Sequence, residues 1–105
     1  MQSQSADGLR RVRTRGLTFR VSDQGAGEPV LLLHGFPDDL HIWSKVVPSL
    51  LTAGYRVIAF DQRGCGESDM PAAVDQYAIR QIVDDIPAVL GELGISEPVF
   101  VMGHD

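Results

Sequence analysis

The sequence predicts an α/β fold: a mostly parallel sheet, opened by an antiparallel hairpin, with helices crossing between its strands. Three observations carry that expectation. First, Val30–Leu33, Tyr55–Phe60 and Val99–Met102 are apolar at nearly every position instead of alternating, the pattern of strands covered on both faces in a parallel sheet. Second, the segments between them carry apolar residues at helical spacing, so strand and helix alternate as crossover connections require. Third, each of the three strands runs into a loop of glycine and polar residues, at the carboxyl edge where open α/β sheets hold their ligands.

Taken in order, Leu9 to Arg15 alternates, and Leu17 to Ser22 alternates more cleanly, with Leu17, Phe19 and Val21 on one face. With Gly16 between them, the two segments predict a hairpin packed on one face, with its arginines exposed on an edge where their charge discourages further pairing. Gln24 to Pro29 is rich in turn residues. The strand over 29–33 then meets His34-Gly35-Phe36-Pro37-Asp38-Asp39, where glycine and proline force a turn and Phe36-Pro37 is expected to be cis. Trp43, Val46, Val47, Leu50 and Leu51 predict a short turn and then a helix with Pro48 near its first position, closed at Gly54. The strand over 55–60 leads to Asp61-Gln62-Arg63-Gly64-Cys65-Gly66-Glu67-Ser68-Asp69, a loop expected to be structural, its glycines permitting the turn. Ile79, Ile82, Val83, Ile86, Val89, Leu90 and Leu93 mark an apolar helical stripe over 77–93, interrupted at Pro87 and closed at Gly94. A last strand over 98–102 follows.

Composition limits the possible functions. The chain has 105 residues, enough for one domain, read here as 1–28 (hairpin and connection) and 29–105 (parallel part). Its apolar runs are strand-length, its start is polar with no apolar leader, and a cytoplasmic protein without membrane contact is expected. The net charge of −5 is uneven: residues 1–20 hold five arginines against one aspartate, and the remainder holds four basic and thirteen acidic residues. The basic hairpin is read as an edge device and not as a nucleic-acid surface. Cys65 is the sole cysteine, and His34, His41 and His104 form no metal spacing with it, so neither a metal nor a cofactor is expected.

The final stretch, Pro98-Val99-Phe100-Val101-Met102-Gly103-His104-Asp105, ends a buried strand in Gly-x-Asp. That is the first half of a nucleophile elbow, in which a sharp strand-to-helix turn lifts one side chain clear of the sheet edge. A carboxylate in that place can attack a saturated carbon.

Four motifs in order resemble the α/β-hydrolase fold: Leu33-His34-Gly35-Phe36-Pro37-Asp38-Asp39, Gly54-Tyr55-Arg56-Val57-Ile58-Ala59, Asp61 to Asp69, and Gly103-His104-Asp105. Within that fold the chain, from about Arg10 to Asp105, resembles the epoxide hydrolase family, whose nucleophile is an aspartate. The resemblance implies the strand order 1-2-4-3-5 and a small-molecule epoxide as substrate. It makes Asp105 the nucleophile and the Phe36 N–H an oxyanion donor, with His34, Gly35, Pro37 and His104 in the surrounding loops. It also implies that the catalytic base, its acidic partner and the lid lie in later segments, so that this chain is the N-terminal part of the enzyme. Cys65 stands where the family often has an aromatic residue. Trp43 is expected in the core.

Two other readings stand beside this one. Dehalogenases of the same fold use the same aspartate on halogenated substrates. Haloalkane members carry asparagine where this chain has Phe36, whereas fluoroacetate members share His-Gly-Phe-Pro. The other reading is a truncated fragment without catalysis.

Overall fold

A computed structural model of the chain describes residues 8–104. The chain folds into a five-stranded mixed sheet with helices on both faces, the α/β class expected. β1 (Leu9–Thr14) and β2 (Leu17–Gln24) form the antiparallel hairpin. Thr14 pairs with Leu17, so the turn is Arg15-Gly16, with φ of 55° and 77°. Both turn residues are left-handed, which matches the right-handed twist of the flanking strands. β3 (Pro29–Leu33), β4 (Arg56–Phe60) and β5 (Phe100–Gly103) are parallel, with β3 between the other two. β2 pairs antiparallel with β4, giving the order β1-β2-β4-β3-β5. That is the order the resemblance implies.

Strand alternation sorts the core into two layers. Phe19, Val21, Leu31, Ile58 and Phe60 point to one face and meet Val89, Leu90 and Leu93 at the end of α2 (Ile79–Glu92). Phe19 and Phe60 meet there edge to face, with ring centroids 5.7 Å apart. Val30, Leu32, Val57 and Ala59 point to the other face, beneath a 3₁₀ turn (Leu40–Trp43) and α1 (Val47–Thr52). Pro48 lies in the first turn of α1, where its missing N–H removes no helical bond. No helix among the described residues is long and apolar enough to cross a membrane.

Four features depart from the sequence expectation. β2 is covered on both faces, because Arg20 and Ser22 are buried as well as Phe19 and Val21. Arg11, Arg13 and Arg15 are exposed as expected, but the hairpin arginines also have partners that were not foreseen: Arg10 binds Asp23, Arg11 binds Glu67, Arg13 binds Thr18 and Arg15 binds Asp85. α2 begins at Ile79, after a separate 3₁₀ turn at Val74–Tyr77, and its apolar stripe is buried only toward the far end. Ile79 and Val83 are exposed, while Asp85 is buried, drawn inward by two arginines. β5 starts two residues later than expected, since Pro98 has no N–H to give a ladder; its side chains are exposed, as expected of an edge strand without its covering helix.

Candidate active site

The register of β3 and β5 brings two loops together. Leu33 pairs with Gly103, and the His104 N–H donates to the Leu33 carbonyl at 3.0 Å. The His34–Asp39 loop and the chain beyond Gly103 therefore leave the sheet at one level, from adjacent strands. Asp105, the expected nucleophile, lies outside the described residues.

His34 is buried and holds the start of its loop. Its Nε2 accepts the Gln62 backbone N–H at 3.0 Å, and the Gln62 side-chain amide donates to the His34 carbonyl at 2.7 Å. Because Nε2 faces an N–H, the ring proton resides on Nδ1, which donates to the Gly35 carbonyl at 2.9 Å. Both ring nitrogens of His34 are occupied in holding backbone. Gly35 to Asp38 then form a tight turn, closed by the Asp38 N–H on the Gly35 carbonyl at 2.9 Å, with the Phe36–Pro37 bond cis as expected. The Phe36 ring is 82% exposed, and its N–H has no acceptor among the described residues. An unpaired backbone donor at a sharp turn is what an oxyanion requires.

Past the turn, Asp39 caps the 3₁₀ turn by accepting the His41 N–H at 2.9 Å. That backbone bond holds the Asp39 carboxyl below the usual carboxylate range; burial opposes it, and His41 and Arg20 reinforce it. Trp43 is buried in the α1-side core, as expected, with its ring edge-on to His104 at a centroid distance of 6.2 Å. Among the described residues no group of three histidine, cysteine or acidic side chains could hold a metal ion.

The Asp61–Asp69 loop differs most from its sequence reading. Its glycines do make the turn, but the loop is built around a charge. Asp61 is fully buried and accepts from Arg20 Nε at 2.7 Å, the Leu40 N–H at 2.8 Å and the Glu67 N–H at 2.9 Å. Ser68 Oγ ties the Asp61 carbonyl to the Arg20 N–H. Burial of the Arg20 guanidinium works against its charge, yet its hydrogen bond to Asp61 and the charges of Asp61, Glu67 and Asp39 leave its pKa above the ordinary arginine value. Burial, with Asp61 and Asp39 nearby, pushes the Cys65 thiol up, so it stays protonated and is a poor nucleophile. A cleft of about 380 Å³ opens between this loop, His34, Phe36 and α2.

The model for the alpha/beta hydrolase fold matches residues 28–105. The chain belongs to the α/β-hydrolase fold family. Among relatives of this α/β-hydrolase, Epoxide hydrolase 3 of Siraitia grosvenorii is 44% identical over 94 residues, which cover 90% of this chain and 29% of that protein. The crystal structure of an epoxide hydrolase from Vigna radiata superposes with a TM-score of 0.87 at 37% identity, covering 92% of this chain and 31% of the other. An epoxide hydrolase from an endophytic Streptomyces gives a TM-score of 0.86 at 44% identity, covering 92% and 29%. The chain thus spans less than a third of each of these proteins.

Sequence reasoning passed over Asp61, Arg20 and Gln62 as site-building residues. A signal was present for Asp61: it directly follows the apolar run Val57 to Phe60 and is followed by two glycines, the composition of a backbone wrapped around a side chain. No comparable signal marks Arg20, whose parity on an alternating strand reads as solvent-facing.

Proposed function

We propose that this chain is the N-terminal part of an epoxide hydrolase and that Asp105 is its nucleophile. One Asp105 carboxylate oxygen attacks an epoxide carbon. The new C–O bond forms as the ring C–O bond breaks, and the ring oxygen leaves as an alkoxide that takes up a proton. The product is a hydroxyalkyl ester of Asp105. Water then adds to the ester carbonyl carbon and gives its proton to a base. The carbonyl electron pair moves onto oxygen, where the Phe36 N–H donates to the oxyanion. Collapse breaks the ester bond, the diol leaves with a proton, and the carboxylate is restored. Neither step calls for a metal or a cofactor. In the family this chain resembles, the base, its acidic partner and the proton donors to the epoxide belong to later segments.

The observation that most supports the reading is the β3–β5 register. The strand entering Asp105 in the sequence neighbours the strand that leads into the Phe36 turn. The names of the relatives favour epoxide opening over halide displacement.

The test is single-turnover hydrolysis in heavy-oxygen water by the complete enzyme. Hydrolysis at the ester carbonyl leaves label in the Asp105 carboxylate, and Asp105→Asn abolishes turnover because the amide forms no ester. An unlabelled Asp105 carboxylate after turnover would remove it from the mechanism.

A further inference from the structure

Asp61 takes no part in the chemistry above, yet it is a buried charge within the site. Burying a carboxylate is expensive unless it is paired and hydrogen-bonded, and apolar residues of similar volume usually serve stability as well. Its partners suggest what the charge achieves. Oδ2 takes Arg20 Nε and the Glu67 N–H, and Oδ1 takes the Leu40 N–H. Leu40 opens the 3₁₀ turn where the Phe36 loop ends. Asp39, just before it, is extended with φ −146° and ψ −173° and lies 3.7 Å from Arg20 Nη2. The Phe36 loop is therefore anchored twice, by the His34 ring on Gln62 at its start and by the Asp61 carboxylate on Leu40 at its end. The unpaired Phe36 N–H lies between the two anchors.

We propose that Asp61 is a positioning residue that holds the Phe36 N–H where the ester oxyanion forms, so that its loss slows hydrolysis of the ester and spares its formation. The proposal rests on the aspartyl-ester reading above and refines it. The asymmetry between the steps follows from charge. While the ester forms, negative charge drains from the nucleophile's oxygens. While the ester is hydrolysed, charge builds on its carbonyl oxygen. A fixed donor at that oxygen favours only the second transition state. Removing an oxyanion donor outright lowers rates by roughly 10²–10³-fold, so displacing one should slow hydrolysis by about tenfold or more.

The experiment follows both steps in the complete enzyme by rapid quench and intact-protein mass spectrometry, with a panel of aryl and alkyl epoxides as probes. Asp61→Asn keeps the side-chain volume, but its single carbonyl oxygen cannot serve all three donors. The expected result is ester formation within about threefold of wild type, ester decay slowed by about tenfold or more, and accumulation of the adduct. Leu40→Pro is the second variant, and it decides the matter if Asp61→Asn does not fold. It deletes the N–H held by Asp61 and replaces the buried leucine side chain with a proline ring, at a position whose preceding residue already has the extended backbone proline demands. It should show the same split. Equal slowing of both steps, or unchanged ester decay in a folded variant, would overturn the positioning role. If wild type forms no adduct with any epoxide of the panel, the aspartyl-ester reading fails instead, which is a separate outcome.

Discussion

At Gly66 the backbone has φ +52°, and a Cβ built there would overlap the Asp61 carboxylate. Two demands meet at one residue: a left-handed conformation, and an empty space through which the loop can close on a charge. Gly66→Ala should therefore destabilise the protein by more than the roughly 1 kcal/mol that backbone conformation alone commonly explains, because the methyl group also displaces the carboxylate. Denaturant unfolding of the complete enzyme measures this, and a neutral Gly66→Ala would mean that the loop closes differently. The turn itself was legible in the sequence, since glycine and polar residues after a strand have few other uses. The carboxylate inside it was not, because a contact across a tight loop leaves no periodic trace. His34 shows the same limit. Its place at a turn follows from the Gly35 beside it, but its hold on Gln62 depends on the packing of two loops distant in sequence.

Among the elements, α2 shows how far periodicity reaches. Its apolar stripe predicts a helix against the sheet, and Val89, Leu90 and Leu93 meet that expectation. Asp85 was not foreseen. It lies buried between the Arg63 guanidinium, which grips it through Nε and Nη2 at 2.7 Å each, and Arg15 Nη1 at 2.7 Å. This carboxylate joins α2 to the loop after β4 and to the hairpin turn, three parts of the chain with no backbone ladder between them. Its hydrogen bond holds the pKa of Arg63 above the ordinary arginine value, against the opposing effect of burial. Truncating one partner of a buried pair leaves the other charge stranded. Asp85→Ala should thus destabilise by about 3–5 kcal/mol, read from the shift of the urea midpoint. A shift equivalent to less than about 1 kcal/mol, the level of an exposed ion pair, would show that water reaches Arg63 freely.

For the whole molecule, the alternation of strand and helix foretold the parallel set β3, β4 and β5, while two of the four pairings, β1–β2 and β2–β4, are antiparallel. The order β1-β2-β4-β3-β5 came from resemblance, since periodicity alone cannot say which of two strands lies beside β3. The last strand, apolar enough to be covered on both faces, was expected to stand in this chain as an uncovered sheet edge, and it does. An apolar sequence records what a strand is suited to be buried by, and β5 exposes Phe100, Val101 and Met102 at 64%, 57% and 43%. Its outer edge also offers unpaired backbone groups, a template for another strand. Expressed as residues 1–105, the chain should self-associate. Val101→Lys, which sets a charge on that edge, should raise the monomer fraction in light scattering after gel filtration. A wild-type 1–105 chain that stays monomeric and unfolds cooperatively would overturn this expectation.

Leu33 and Gly103 face each other across neighbouring strands, and neighbouring strands lie about 4.8 Å apart in any sheet. The separation at which the two loops set out is thus a lattice constant of the backbone, indifferent to which side chains surround it. Substitutions nearby can reshape the walls of a cavity, but they leave that gauge untouched. Altering it takes an inserted or deleted residue, and a slip of one residue turns every side chain of the strand to the opposite face. A scaffold organised in this way can vary the walls of its cleft widely and still keep the two loops at a constant distance.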